Sequence, residues 1–232
     1  MINGIQKTSL IDFPGKICCT LFLGECQLRC GYCYNVDLVL NSRKLQKIDD
    51  DEVISFLEKK KKYLEGVCIT GGEPTLYPDL DGLCKKIKRM GYAIKLDTNG
   101  LNPEKVKELC DKKLLDYIAM DVKASKENYE KVVGVKIDLS KIEETIKFLI
   151  NGEVDYEFRT TVVPTQFDEK EAEEIGKWIK GAKRYFLQQF RPTKTHINPK
   201  FSKIEPYSAE QLKTFKKIAE RYVQNVGIRG LE

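Results

Sequence analysis

The chain has 232 residues, 41% of them hydrophobic, which is enough for one substantial buried core, and nothing in it reads as a low-complexity arm. Its 40 basic and 35 acidic residues are interleaved and leave a formal charge of only +5, a balance that fits a soluble protein and argues against a nucleic-acid partner. No apolar run approaches the roughly 20 residues that a bilayer span requires, and "KICCTLFLG" starts too late and lacks the small-residue cleavage pattern of a signal peptide. A cytoplasmic protein without a membrane partner is expected.

Along the chain, short β-rich runs alternate with segments of helical period. Strands are predicted over 17–23, 66–70, 93–97, 117–123, 156–163 and 184–190. The lysine run 59–62 closes a helix that begins near Asp50 to Glu52 and reads as a solvated face. Asn102 followed by Pro103 reads as an N-cap and first helical position. Ser140 with Glu143, Asp168 with Glu171 and Ser208 with Gln211 have capping-box spacing. Apolar residues then recur at three and four, as in Ile142, Ile146 and Leu149, or Leu212, Phe215, Ile218, Ala219 and Tyr222, and the last helix is predicted over 208–224. Six such units predict a single α/β domain over 1–232, a partial (β/α)6 barrel in which helices cover an open parallel sheet. The ligand site of such a sheet lies at the C-terminal strand ends.

Eight cysteines in a reducing compartment point to metal binding or chemistry before disulfides. Cys84 and Cys110 fall on the apolar faces of helices, and Cys68, Cys18 and Cys19 fall inside strands, so all five read as core, with one of Cys18 and Cys19 able to line the barrel interior. Cys26, Cys30 and Cys33 differ, because they sit in a glycine-flanked loop after the first predicted strand. Structural zinc and ferredoxin-type clusters take four ligands, and no second pair exists. Three thiolates on a cubic 4Fe-4S cluster would leave one iron open to a substrate or cofactor.

The Cys26-x3-Cys30-x2-Cys33 spacing, with Tyr32 before the last cysteine, resembles the signature of radical S-adenosylmethionine (SAM) enzymes. "GGEP" at Gly71 to Pro74, directly after the strand "GVCIT", is similar to that family's second motif. With "DTNG" at Asp97 to Gly100, "MDVKA" at Met120 to Ala124 and "SLIDFPG" at Ser9 to Gly15, the pattern resembles the glycyl-radical-enzyme activating enzymes, in the branch of the anaerobic ribonucleotide reductase activating proteins. The likeness fades after about Pro192.

That resemblance implies one 4Fe-4S cluster on Cys26, Cys30 and Cys33, with S-adenosyl-L-methionine chelated to the open iron. A low-potential donor such as flavodoxin or ferredoxin would supply one electron, breaking a carbon–sulfur bond to give a 5'-deoxyadenosyl radical. In an activase, that radical takes hydrogen from a glycine of a partner glycyl radical enzyme, so no acid/base pair or other catalytic side chain is expected. For cofactor binding the resemblance implies backbone approach at Gly71 and Gly72, support from Glu73, and adenine contacts from Tyr32, Cys33 and Tyr34. Asp97, Asn99, Asp121 and Lys123 would bind amino, ribose or carboxylate groups, and Arg159 would pair with a carboxylate. For Asp97 and Lys123 function is preferred to an ordinary strand-end ion pair; for Asn99 and Arg159 the two readings stand level.

Some features depart from the family pattern. Glu25-Cys26-Gln27 stands where "GCN" is frequent, and Cys33-Tyr34-Asn35 where "CHN" is. No cysteine lies between Tyr34 and Val67, which excludes a ferredoxin-like insertion, and none follows Cys110, which excludes C-terminal auxiliary clusters. The single histidine, His196, lies in a basic, proline-punctuated loop after the last predicted strand and reads as an exposed loop residue in preference to one that reaches the barrel mouth or docks a partner with Gln188, Gln189 and Arg191. Two other functions stay open: a radical SAM enzyme acting directly on a small molecule and, more remotely, a non-catalytic metal-binding or electron-transfer protein.

Overall fold

A computed structural model describes residues 1–231. Among the described residues the strands form one eight-stranded sheet in chain order. All six expected strands are present within two residues of their predicted ends: β2 (Cys18–Leu23), β3 (Gly66–Gly71), β4 (Ala93–Thr98), β5 (Tyr117–Asp121), β6 (Asp155–Val162) and β7 (Arg184–Gln189). Two further strands flank them, β1 (Ile2–Ser9) and β8 (Asn225–Arg229). The class is the expected one, α/β with an open, mostly parallel sheet and covering helices. No helix among the described residues is long and apolar enough to cross a membrane.

The chain divides into two compact units. The first holds 1–27, 35–98 and 102–119, and the second holds 28–34, 99–101 and the rest from Met120.

In the first unit β1 runs antiparallel to β2, and β2, β3 and β4 run parallel, with Cys18 opposite Gly66, Leu23 opposite Gly71 and Ile69 opposite Leu96. This register brings the chain after Leu23 to the level of the chain after Gly71. Helix α1 (Val36–Leu40) follows β2, α2 (Asp50–Lys60) leads into β3, α3 (Leu80–Arg89) into β4 and α4 (Pro103–Asp111) into β5. In α3 the Asp79 carboxylate accepts from the Gly82 amide at 3.1 Å, Leu80, Leu83, Cys84 and Ile87 make one buried face, and basic residues fill the last turn. Cys84 is core as expected; Cys110 is only half-buried, beside the buried Val106 and Leu109. At the other end of the strands, Phe13 of "SLIDFPG" is buried in a cluster with Cys18, Cys68 and Tyr117. Its loop is held by Ser9 Oγ, which accepts from the Ile11 and Asp12 amides, and by Asp12, which accepts from Thr20 Oγ1 at 2.7 Å.

The second unit is built on β6, β7 and β8 in parallel, with Phe158 opposite Tyr185 and Arg184 opposite Asn225. Helices α5 (Tyr129–Val133), α6 (Leu139–Asn151), α7 (Glu169–Trp178) and α8 (Ala209–Ala219) complete it. Helix α8 opens with the expected capping box of Ser208 and Gln211, but it stops at Ala219, short of the predicted 224, and the chain turns into β8. Helix α6 is capped by Asp138, whose carboxylate takes both the Ser140 amide and hydroxyl, instead of by Ser140. Asp168 caps α7 as expected, while the Glu171 side chain reaches Ser125 and Asn128. That buried carboxylate thereby fixes the loop that follows β5.

Candidate cluster and cofactor site

In the first unit the loop of Cys26 and the loop of "GGEP" are joined through backbone. The Gly72 amide donates to Leu23 O at 2.8 Å and the Glu73 amide to Glu25 O at 2.7 Å. Gly71 has φ +124°, open only to glycine in practice, and a Cβ there would lie 2.3 Å from Leu23 O. A Cβ on Gly72 would lie 2.0 Å from Glu25 O. The two glycines are therefore required by the chain's own packing. Asn35 Nδ2 donates to Gly71 O at 3.2 Å, adding a tie from the far side of the cysteine loop.

Glu73 is 1% exposed, and its Oε1 accepts from the Thr75 amide at 3.1 Å and from the Thr75 and Thr98 hydroxyls at 2.7 Å. Neutral donors thus hold the carboxylate in one orientation. Asp97, near the end of β4, is paired with Lys95, whose side chain is 2% exposed and also lies 3.6 Å from Cys68 Sγ. Cys26 belongs to this unit and is half-buried.

The second unit holds the other site residues. Asp121 ends β5 between two cations: Arg159 Nε donates to Oδ1 at 2.9 Å, and Lys123 Nζ to Oδ2 at 2.9 Å. Burial would raise the Asp121 pKa, but the guanidinium and the ammonium outweigh it and hold the carboxyl at about 2. Burial likewise opposes the charge on Lys123, and Asp121 reverses that, so the ammonium holds its proton more tightly than usual. Asn99 is buried, and its Oδ1 accepts from the Leu101 amide at 3.0 Å.

Cys30 is buried and Cys33 half-buried, the Cys33 amide donating to Cys30 O at 3.0 Å. Burial pushes the Cys30 thiol up, with Lys123 pulling the other way. Tyr32 turns inward, its ring edge-on to Phe201 at 6.3 Å, and its buried hydroxyl has no hydrogen-bond partner among the described residues. Tyr34 is 63% exposed. His196 corrects the sequence expectation: it is 4% exposed, because the segment after β7 folds back onto the cysteine loop and the ring packs on Phe190.

The donor set fits an iron–sulfur cluster. Three cysteine sulfurs, none in a disulfide, with no histidine or carboxylate in the motif, are the soft donors that iron–sulfur chemistry takes. A multi-iron cluster takes each thiolate on a different iron, so its ligands need not converge on a point.

Sequence reasoning missed Lys95, Thr75, Thr98 and Asn35, which hold Asp97, Glu73 and Gly71, and it misplaced His196. Lys95 carried a signal, since a lysine inside an apolar strand needs a partner two residues away on the same face.

The sequence pattern of the Radical SAM superfamily matches residues 20–179. The chain belongs to that superfamily and is an oxidoreductase. A Methanocaldococcus jannaschii protein, provisionally named a glycyl-radical enzyme activating enzyme, is 35% identical to it over 237 aligned positions, 99% of this chain and 95% of its own length. The pyruvate formate-lyase-activating enzyme of Clostridium pasteurianum is 30% identical over 175 residues, 73% of this chain and 71% of that one. Among solved structures, Streptococcus suis SuiB shares the fold with a TM-score of 0.70 at 15% identity across 92% of this chain, which spans about half (49%) of SuiB.

Proposed function

We propose that the protein is an activase: it uses S-adenosylmethionine and one 4Fe-4S cluster on Cys26, Cys30 and Cys33 to abstract hydrogen from a glycine of a partner glycyl radical enzyme. The observation that carries this reading is the backbone tie of Glu73 to Glu25, which hangs the "GGEP" loop on the residue before the first cluster cysteine. The similarity to activating enzymes along 99% of the chain supports the choice of a protein substrate.

Bound S-adenosylmethionine would supply a 5'-deoxyadenosyl radical on one-electron reduction. The chain's residues bind and orient. Glu73 and its hydroxyl donors stiffen the glycine loop that meets the amino end of the cofactor, with Asp97 nearby on β4. Lys123 and Arg159 hold the cofactor carboxylate, and Asp121 aligns both cations. Tyr32, Cys33 and Tyr34 offer backbone to the adenine, and Asn99 keeps the turn after β4 in place. The electron comes from a low-potential flavodoxin or ferredoxin. Both units serve this one activity as a single domain.

The test is anaerobic incubation of the reduced, cluster-loaded protein with S-adenosylmethionine and each glycyl radical enzyme encoded in the source genome. A carbon-centred glycyl signal in the electron paramagnetic resonance (EPR) spectrum of one of them, with matching 5'-deoxyadenosine, supports the reading. Cofactor cleavage without a radical on any of them would transfer the protein to the small-molecule class.

A further inference from the structure

The segment after β7 closes on the cysteine loop through three consecutive carbonyls, all within the second unit. The Asn198 amide donates to Gly31 O at 2.9 Å and the Ile197 amide to Cys33 O at 3.0 Å. His196 Nδ1 lies 2.7 Å from Tyr32 O. The Thr193 amide donates to His196 Nε2 at 3.0 Å, so Nε2 carries the lone pair and the ring proton of the neutral imidazole sits on Nδ1, aimed at the Tyr32 carbonyl. The ring is 4% exposed and packs on Phe190, while Phe201 leaves no room for a Cβ at Gly31, 2.7 Å from its Cε2.

We infer that His196 is a positioning residue for the cluster: its Nδ1–H pins the peptide of Tyr32 and thereby fixes the backbone on either side of Cys33. In a trans peptide the carbonyl and the next amide point in opposite directions. Holding carbonyls 31, 32 and 33 on the strap therefore turns amides 32, 33 and 34 away from it. The Cys33 amide is taken by Cys30 O, and by peptide planarity those of Tyr32 and Tyr34 face away from the strap. Amides and solvent beside cluster sulfurs set an iron–sulfur potential, so a loosened loop changes it. Water admitted at the loop stabilises the more negatively charged reduced cluster and moves the potential to less negative values.

The inference rests on Cys33 as a cluster ligand, and three variants separate the two claims. Asn places an amide nitrogen where Nδ1 stands and keeps the Tyr32 bond; Gln places its amide at Nε2 and loses it; Ala loses both. With the reconstituted holoprotein, the readouts are iron loss to a chelator and the midpoint potential from an EPR-monitored redox titration, with the exposed Lys194→Ala as control. His196→Ala and His196→Gln are expected to lose iron about fivefold faster, the factor one hydrogen bond is worth, with a less negative potential, and His196→Asn to match the wild type. The inference is overturned if Ala behaves as wild type, if Asn is as impaired as Ala, or if iron loss quickens while the potential stays put, which would make the ring a packing element only. If wild type itself takes up no cluster, the cluster reading fails instead.

Discussion

The Glu73 amide meets the Glu25 carbonyl at 2.7 Å, and the Cβ that Gly72 lacks would lie 2.0 Å from the same oxygen. Two residues 48 positions apart in the chain, one from each motif's loop, are thus joined at one peptide group, and the closeness leaves no space for a methyl. A Gly72→Ala change must push backbone against backbone, which has no soft rotamer to absorb it. We expect it to destabilise the protein by about 3 kcal/mol, the upper part of the usual overpacking range. Urea unfolding of the purified variant measures this, and a midpoint equal to wild type would show that the loop moves aside freely.

Glu25 has φ +72°, in the left-handed region where glycine is at ease. The left-handed conformation costs a side chain about 1–2 kcal/mol, and glycine's greater freedom in the unfolded chain returns up to about 1. The Glu25 to Arg43 ion pair is exposed and adds little. Glu25→Gly should therefore stabilise by about 0.5–1 kcal/mol, read as a higher urea midpoint with unchanged slope; a lower midpoint would assign Glu25 a contact more valuable than its strain.

Asp121 supplies a pH dependence. Its carboxyl titrates at about 2 in the folded protein, against about 3.9 in an unfolded chain, so its contribution is present above pH 4 and is lost as pH falls through the folded value. Asp121→Asn should cost about 2 kcal/mol at pH 7, and the gap from wild type should close toward pH 2. Urea titrations at both pH values would show it; a gap that persists at pH 2 would assign the loss to packing.

Buried Lys95 pairs with the mostly buried Asp97 in the first unit. Lys95→Met leaves the carboxylate without its cation and should cost about 3 kcal/mol, part of which a second change, Asp97→Asn, restores. Additive losses in that double-mutant cycle would mean the two side chains do not depend on each other.

The parts of the fold legible in the sequence were those with a strong period. The six inner strands are apolar runs bounded by turns, and Asn102, Asp168 and Ser208 cap their helices as their spacing indicates. The edge strands were not legible: β1 carries Gly4 and three exposed residues, Gly227 interrupts β8, and Tyr222 extends the apolar period of α8 past the helix end at Ala219. The cysteine motif and "GGEP" were legible as patterns. The ties that support them were not, since Glu73 to Thr98 and His196 to Tyr32 are long-range bonds that leave no local period. His196 was misread because a polar, proline-punctuated segment looks solvated until its return path onto the cysteine loop is known.

The most direct measurement is anaerobic: load and reduce the cluster, add S-adenosylmethionine, and quantify 5'-deoxyadenosine in the wild type beside Cys30→Ala. The expected result is 5'-deoxyadenosine from the wild type alone, with both proteins folded. Equal cleavage by folded Cys30→Ala, or none from a wild type carrying its full iron and sulfide, would contradict the assignment of the three cysteines to a radical-generating cluster.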